Sequence, residues 1–478
     1  MELTCIAAVH VPPLGWIGPF AALLLCVALL PLIPGTAHWW EHNRNKLLVG
    51  LVLGAATLAH YLARDFGVRL HDPTLVGWMQ RAGCQIAEHD GHHETAPGLP
   101  AAAGALGNAL FEYVPFIVLL FSLYSISGGI AVRGDIPAHP VTNTAILGLG
   151  GVLASLIGTT GASMLLIRLL LQTNSERKRV AHTVIFFIFI VSNIGGSLLP
   201  TGDPPLFLGF LRGVPFFWTL CLWKQWALAV GALLVIYLVW DTMAYRREIP
   251  ADIARDRTQV QHIRVIGTVN FLWLLLAIAA VATLIPGNPL PGTHWPTPPF
   301  VREAVLLILV GLSLATTPHG LRHANSFNFT AIGEVACLFI GIFVTMQVPL
   351  EILNVRGGQL GLTGPSQFFW ATGSLSSFLD NAPTYLVFFQ TANALTHTAG
   401  PGILQLLDGN FIRQDLLVGV SLGAVFMGAM TYIGNGPNFM VKSIAEQRGV
   451  KMPSFLGYML YSVAILIPLF LIVSAVFL

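Results

Sequence analysis

Two acids in this 478-residue chain stand where glycine and proline interrupt apolar sequence: Asp203 in Gly202-Asp203-Pro204-Pro205, and Asp380 in Leu379-Asp380-Asn381-Ala382-Pro383-Thr384. An ionised acid among apolar residues costs about 3 kcal/mol by insertion scales, and such a cost is usually met by function. Neutral oxygen donors accompany both acids: Asn193, Thr201, Asn381, Thr384, Asn435 and Asn438, with Thr159, Thr160 and Ser163 in a further polar break. Hard oxygen ligands beside acids that can exchange a proton form a set suited to Na⁺ or H⁺, with Asp203 and Asp380 as the expected Na⁺ ligands. The Asn and Thr residues have a second use, because such side chains also cap interrupted helices.

The breaks recur in one order. Glu112, then Gly158-Thr159-Thr160-Gly161-Ala162-Ser163, then Gly202–Pro205 form a first copy. Glu334, then Leu379–Thr384, then Gly434-Asn435-Gly436-Pro437-Asn438 form a second. Glu112 precedes Thr159 by 47 residues and Glu334 precedes Asp380 by 46. The repeat predicts two re-entrant hairpins and two spans broken near mid-membrane. Irregular backbone at that depth is tolerated only where it is buried in protein or lines a wet cavity, which makes the four breaks the expected site. Glu112 and Glu334 open their spans as candidate proton relays or as acids favoured by a helix start. Arg168 and Lys442 read as anchors that snorkel to the interface.

These breaks must be carried by membrane-spanning helices. The chain is 55% hydrophobic and 10% charged, with a mean hydropathy of +0.72, far less charged than a soluble domain. Apolar runs such as Leu14–Pro34, Lys46–Phe66, Trp223–Tyr245, Val265–Pro286 and Phe455–Leu478 are each long enough to cross about 30 Å of hydrocarbon. They are apolar all round, which excludes a β-barrel. The first run lacks a basic leader and a small-residue cleavage site, so it reads as a helix rather than a secretory signal. Cys5, Cys26, Cys84, Cys221 and Cys337 are scattered and imply no disulfide framework. A net charge of +2 without a basic cluster gives no reason to expect a nucleic-acid partner.

The fold expected is an all-α polytopic membrane protein of about ten transmembrane helices plus two re-entrant hairpins in inverted-topology repeats. Threading by the positive-inside rule puts about two-thirds of the lysines and arginines in the cytoplasm and both termini outside. The organisation read from this is an N-terminal helix and cytoplasmic loop (1–45), a first repeat (46–246), a linker and connecting helix (247–298) and a second repeat (299–478). Arg246–Arg264 reads as a cytoplasmic linker rather than a domain. The outer loop Arg69–Pro100 carries Glu88-His89-Asp90-Gly91-His92-His93-Glu94, a density of ligands that would suit zinc or copper; it reads instead as a solvated loop over a short amphipathic stretch and carries no metal assignment.

The stretch Ser192-Asn193-Ile194-Gly195-Gly196-Ser197-Leu198-Leu199-Pro200-Thr201-Gly202-Asp203-Pro204-Pro205, followed by Phe378-Leu379-Asp380-Asn381-Ala382-Pro383-Thr384, resembles the ion transporter superfamily over roughly residues 45 to 478. That group includes NhaD-type sodium/proton antiporters, arsenite exporters, citrate-type transporters and divalent anion symporters. The Asp-Asn-x-Pro-Thr tip and Gly-Asp-Pro break look most like the antiporter and arsenite branches, whereas the carboxylate symporters typically carry Ser-Asn-Thr at both tips. Leu206 departs from the Asn that often follows the two prolines, and the first tip has no acid. The resemblance implies a homodimer with a scaffold part and a transport part that moves elevator-fashion.

Sodium/proton antiport by alternating access is the leading expectation, with Na⁺- or H⁺-coupled transport of citrate or another dicarboxylate as the alternative. No enzyme motif such as HExxH or a partnered GxSxG occurs, and no cofactor is expected beyond the transported ions. The expected partners are membrane lipid and a small ion or organic anion, and the expected location is a bacterial inner membrane.

Overall fold

Long apolar runs become helices here because a chain in hydrocarbon must satisfy its backbone internally. The computed structural model describes residues 11–478 apart from 32, 90, 91, 259, 326 and 397, so Cys5 and the Asp90-Gly91 centre of the histidine-rich loop lie outside the described residues. Among the described residues, five helices are long and apolar enough to cross a membrane: Asn43–Ala63, Leu99–Ser127, Pro140–Ile157, Phe216–Tyr245 and Phe455–Phe477. Two bent pairs, Leu14–Leu29 with Pro34–Trp40 and Thr330–Thr345 with Gln347–Leu360, raise the number to seven if each is one span. The chain is thus mostly helical with five to seven candidate spans. Among the described residues Cys26, Cys84, Cys221 and Cys337 form no disulfide.

The chain divides into two compact units. The first comprises Met1–Ile117, Thr330–Leu362 and Gln390–Thr398. In it, Asn43–Ala63 packs closely on Thr330–Thr345 where Gly50 meets Gly341, a crossing at which a Cβ on Gly50 would stand 3.2 Å from the facing Cα. The buried Lys46 Nζ lies 2.5 Å from Glu334 Oε1 beside that crossing. Within Arg69–Pro100 the short amphipathic stretch is the helix Pro73–Arg81, with Leu75, Val76 and Met79 buried, and Arg69–Leu70, Ile86–His89 and His92–Thr95 add a three-stranded antiparallel sheet that a loop reading did not include.

The second unit comprises Val118–Phe329, Thr363–Phe389 and Ala399–Leu478. It holds β1 (Ala131–Asp135), α1 (Pro140–Ile157), α2 (Thr159–Thr173), α3 (Ala181–Ile190), α4 (Pro204–Leu211), α5 (Trp223–Tyr245), α6 (Pro250–Thr258) and β2 (Gln261–Ile266). Further along the chain come α7 (Pro365–Ser376), α8 (Asn381–Ala394, whose last turn falls in the first unit), α9 (Gln414–Met427) and α10 (Gly436–Gln447). α1 and α2 are parted only by Gly158, whose φ of 84° is a conformation that glycine adopts without strain. β1 pairs antiparallel with β2, so the segment expected as a plain linker carries a helix and a strand built into this unit.

Candidate functional site

The site begins with two helix interruptions of the same construction. α3 ends before a 3₁₀ turn at Ile194–Ser197; the chain then becomes extended at Asp203 and restarts as α4 on Pro204 and Pro205. α9 ends before a 3₁₀ turn at Gly428–Met430; the chain becomes extended at Asn435 and restarts as α10 on Gly436 and Pro437. Proline fits these first helical positions because no carbonyl of the turn awaits its N–H. Each interruption closes on a glycine. A Cβ on Gly434 would stand 2.6 Å from Gly428 O, and one on Gly202 would collide with Gly196 O in the same relationship six residues back.

Asp203 and Asn435 occupy the N-cap positions of α4 and α10, where such a side chain ordinarily accepts from the N–H groups of the first turn. Neither does so. The side chains turn to each other instead, Asn435 Nδ2 donating to Asp203 Oδ1 at 3.1 Å. Thr159 Oγ1 donates to the same oxygen at 2.9 Å and Asn381 Nδ2 to Oδ2 at 2.6 Å. Thr159 also gives its backbone N–H to Gly202 O at 2.8 Å, which fixes the start of α2 against the first interruption.

Thr159 and Asn381 are the first residues of α2 and α8, so both helix starts converge on one carboxylate. This shifts the sequence register by one residue: Thr159 corresponds to Asn381 rather than to Asp380, and both lie 47 residues beyond their glutamate, Glu112 or Glu334.

A second layer of amides supports the first. Asn193 Nδ2 donates to Asn438 Oδ1 at 2.7 Å and to Ile188 O at 2.8 Å, while Asn193 Oδ1 accepts from Asn435 at 3.2 Å. Asn438 donates to Gly428 O and Thr431 O, both at 2.9 Å. Asp203, Asn193, Asn381, Asn435, Asn438 and Thr159 are all buried. Asn381 Oδ1 is buried without a hydrogen-bond partner, the one atom of this cluster so placed among the described residues.

The remaining expected residues are placed otherwise. Asp380 is half-buried and caps α8, its Oδ1 accepting from Ala382 N–H at 3.0 Å, and Thr384 Oγ1 donates to Asp380 O at 3.0 Å within the same turn. Thr201 donates to Ser155 O and Leu156 O, Ser163 meets Ser192 at 2.9 Å, and half-buried Thr160 follows Thr159 in the first turn of α2. Glu112 and Glu334 belong to the first unit, Glu334 paired with Lys46. Ser155 and Ser376 were not anticipated. Ser155 donates to Gly195 O at 2.5 Å, tying α1 to the first interruption, and Ser376 donates to Ala424 O at 2.7 Å, tying α7 to the last turn of α9 just before the second. Their place about one helical turn before each tip, Gly158 or Asp380, is the signal that could have found them.

A mostly helical chain with several apolar spans, folded around a buried polar cluster at helix interruptions, has the build of a multi-pass membrane transporter. A family model described as "Putative citrate transport" matches residues 96–478, and the chain belongs to that family. No curated protein matches the chain.

Proposed function

We propose that this protein is a sodium/proton antiporter in which Na⁺ and H⁺ compete for Asp203. The observation that carries the reading is the set of partners of this carboxylate. Its two oxygens are held by Thr159, Asn381 and Asn435, all neutral, and among the described residues no cationic side chain hydrogen-bonds to it. A buried carboxylate without a counter-charge is costly, and it is relieved by a proton or by a cation. Both neutralise the same charge, so each displaces the other, and exchange follows. The unpartnered Asn381 Oδ1 is the oxygen best situated to join Asp203 around a bound cation. Asp380, capping the next helix, is the second acid of the proposal.

The remaining features of the reading are about ten spans with two re-entrant hairpins, related as inverted repeats about the paired interruptions, in a homodimer of the bacterial inner membrane working by elevator-type alternating access. Equal 47-residue spacing and the matching Gly202 and Gly434 closures support the repeat.

A second reading, cation-coupled transport of citrate or another dicarboxylate, is favoured by the family description. In it the same acids hold the coupling ion, and helix N-termini hold the carboxylates. Purified protein in liposomes loaded with a pH-sensitive dye separates the two. Antiport predicts proton movement evoked by Na⁺ or Li⁺ between pH 6 and 9 and lost in Asp203→Asn. Gradient-driven uptake of labelled citrate or succinate without such proton movement supports the second reading and overturns the first.

A further inference from the structure

The end of α5 and the segment after it carry three carboxylates that face inward rather than toward water. Asp241, Glu248 and Asp256 are 0%, 7% and 5% exposed. Asp241 takes both Arg177 guanidinium nitrogens, Nη1 on Oδ2 at 3.0 Å and Nη2 on Oδ1 at 2.5 Å. It also accepts from Asn143 Nδ2 at 3.3 Å and lies 2.8 Å from His182 Nε2. Glu248 accepts the backbone N–H groups of Lys178 and Arg179 at 3.3 and 2.9 Å. Asp256 accepts the Ala138 N–H with both oxygens at 3.0 Å.

Every one of these donors sits at an end of the α1–α2 pair or at the start of α3. Ala138 and Asn143 flank the start of α1; Arg177, Lys178 and Arg179 follow the end of α2; His182 opens α3. Arg177 closes the ring by donating to Ala138 O and to Asn174 Oδ1, and Asn174 and Asn143 exchange amide hydrogen bonds at 2.9 Å in both directions. β1 pairs with β2 just outside it. Three acids on one short stretch of chain therefore hold both ends of the pair, about 25 Å along α1 from the Thr159 tip by helical rise. The charge of Asp241 is balanced by Arg177 in a two-point contact, Asp256 satisfies the Ala138 N–H, a donor that would otherwise be buried unpaired, and Glu248 ties down the backbone of exposed Lys178 and Arg179.

We infer that Asp241, Glu248 and Asp256 are positioning residues for transport: they brace α1 and α2 into one body with α5 and α6, so that Thr159 stays on Asp203 and this hairpin does not open during the cycle. The inference does not depend on which ion is carried.

The test reads the hairpin tip directly. Thr160→Cys, beside Thr159, and Leu379→Cys, beside Asp380, are placed singly in full-length protein with all five native cysteines replaced, and maleimide labelling rates are measured in proteoliposomes. Glu248→Ala with Asp256→Ala is expected to speed labelling at position 160 by about tenfold, the loss of charge-assisted hydrogen bonds being of that size, with position 379 unchanged. Glu248→Gln with Asp256→Asn, which keeps an acceptor oxygen at each site and preserves packing, is expected to give a smaller rise at 160 alone. Unchanged labelling at 160 in both pairs overturns the brace. An equal rise at 160 and 379 also overturns it, because that marks general loosening.

Discussion

Asn381 Nδ2 donates to Asp203 Oδ2 at 2.6 Å across 178 residues of chain, joining the start of α8 to the interruption before α4. The donor end of the amide faces the carboxylate, and the acceptor end has no hydrogen-bond partner among the described residues. Asn381→Ala removes a hydrogen bond to a charged group, worth roughly 1.5 to 3 kcal/mol, so ion-driven transport should fall by at least about tenfold. Asn381→Asp sets a second acid beside Asp203 and should shift the pH dependence of transport, since two close carboxylates do not ionise independently. Proton flux in dye-loaded liposomes from pH 5 to 9 checks both; wild-type flux in Asn381→Ala removes this amide from the site.

Asp203→Asn should separate stability from binding. Replacing a buried charge that has only neutral partners with an amide removes a desolvation cost, so the ion-free variant is expected to melt no lower than wild type. A ligand of the native state raises the melting temperature by mass action, and that rise with added Na⁺ should disappear in the variant. Thermal unfolding in detergent across a Na⁺ titration measures both quantities. Retained Na⁺ protection in Asp203→Asn places the cation elsewhere.

How far these relationships could be read from the sequence depended on the range of the signal. Gly202-Asp203-Pro204-Pro205 and Gly434-Asn435-Gly436-Pro437 announce interruptions locally, because proline starts a helix and glycine permits close approach wherever they stand. The role of Asp380 was harder to read. One residue of helical register decides whether an acid at a tip caps its own helix or faces a neighbour, and α8 starts at Asn381. The Asn193–Asn438 contact spans 245 residues and has no local signature. Glu248 and Asp256 looked like linker charges because their partners are backbone N–H groups, which a sequence does not mark.

Gly202→Ala and Gly434→Ala test whether the two interruptions are equivalent. Each new methyl would enter a space held by a backbone carbonyl, Gly196 O or Gly428 O, which cannot rotate away like a side chain. Overpacking of this kind costs about 1 to 3 kcal/mol. Both variants are expected to lower the melting temperature by similar amounts and to abolish transport, because each displaces an N-cap residue of the site. Gly231→Ala, on α5 with open space around it, serves as the control and should leave both properties unchanged. A Gly434→Ala that melts lower yet still transports, beside a Gly202→Ala that does not transport, would show that the second interruption is structural only.

Asp135, at the end of β1 outside the spans, supplies a pH-dependent prediction. Burial, then the nearby Glu176 carboxylate, raises its pKa above the ordinary 3.8. A carboxyl with a raised folded-state value binds its proton more tightly when folded, so its ionisation destabilises the protein at every pH above that value. The cost is relieved as pH falls through the folded value and is gone below 3.8, where folded and unfolded chains are both protonated. Asp135→Asn should therefore raise the melting temperature at pH 7, and the gain should shrink on acidification and vanish near pH 3.8. Melting curves of the two proteins at half-unit pH steps provide the measurement. A gain that stays constant with pH would mean that the substitution acts through packing and not through the charge.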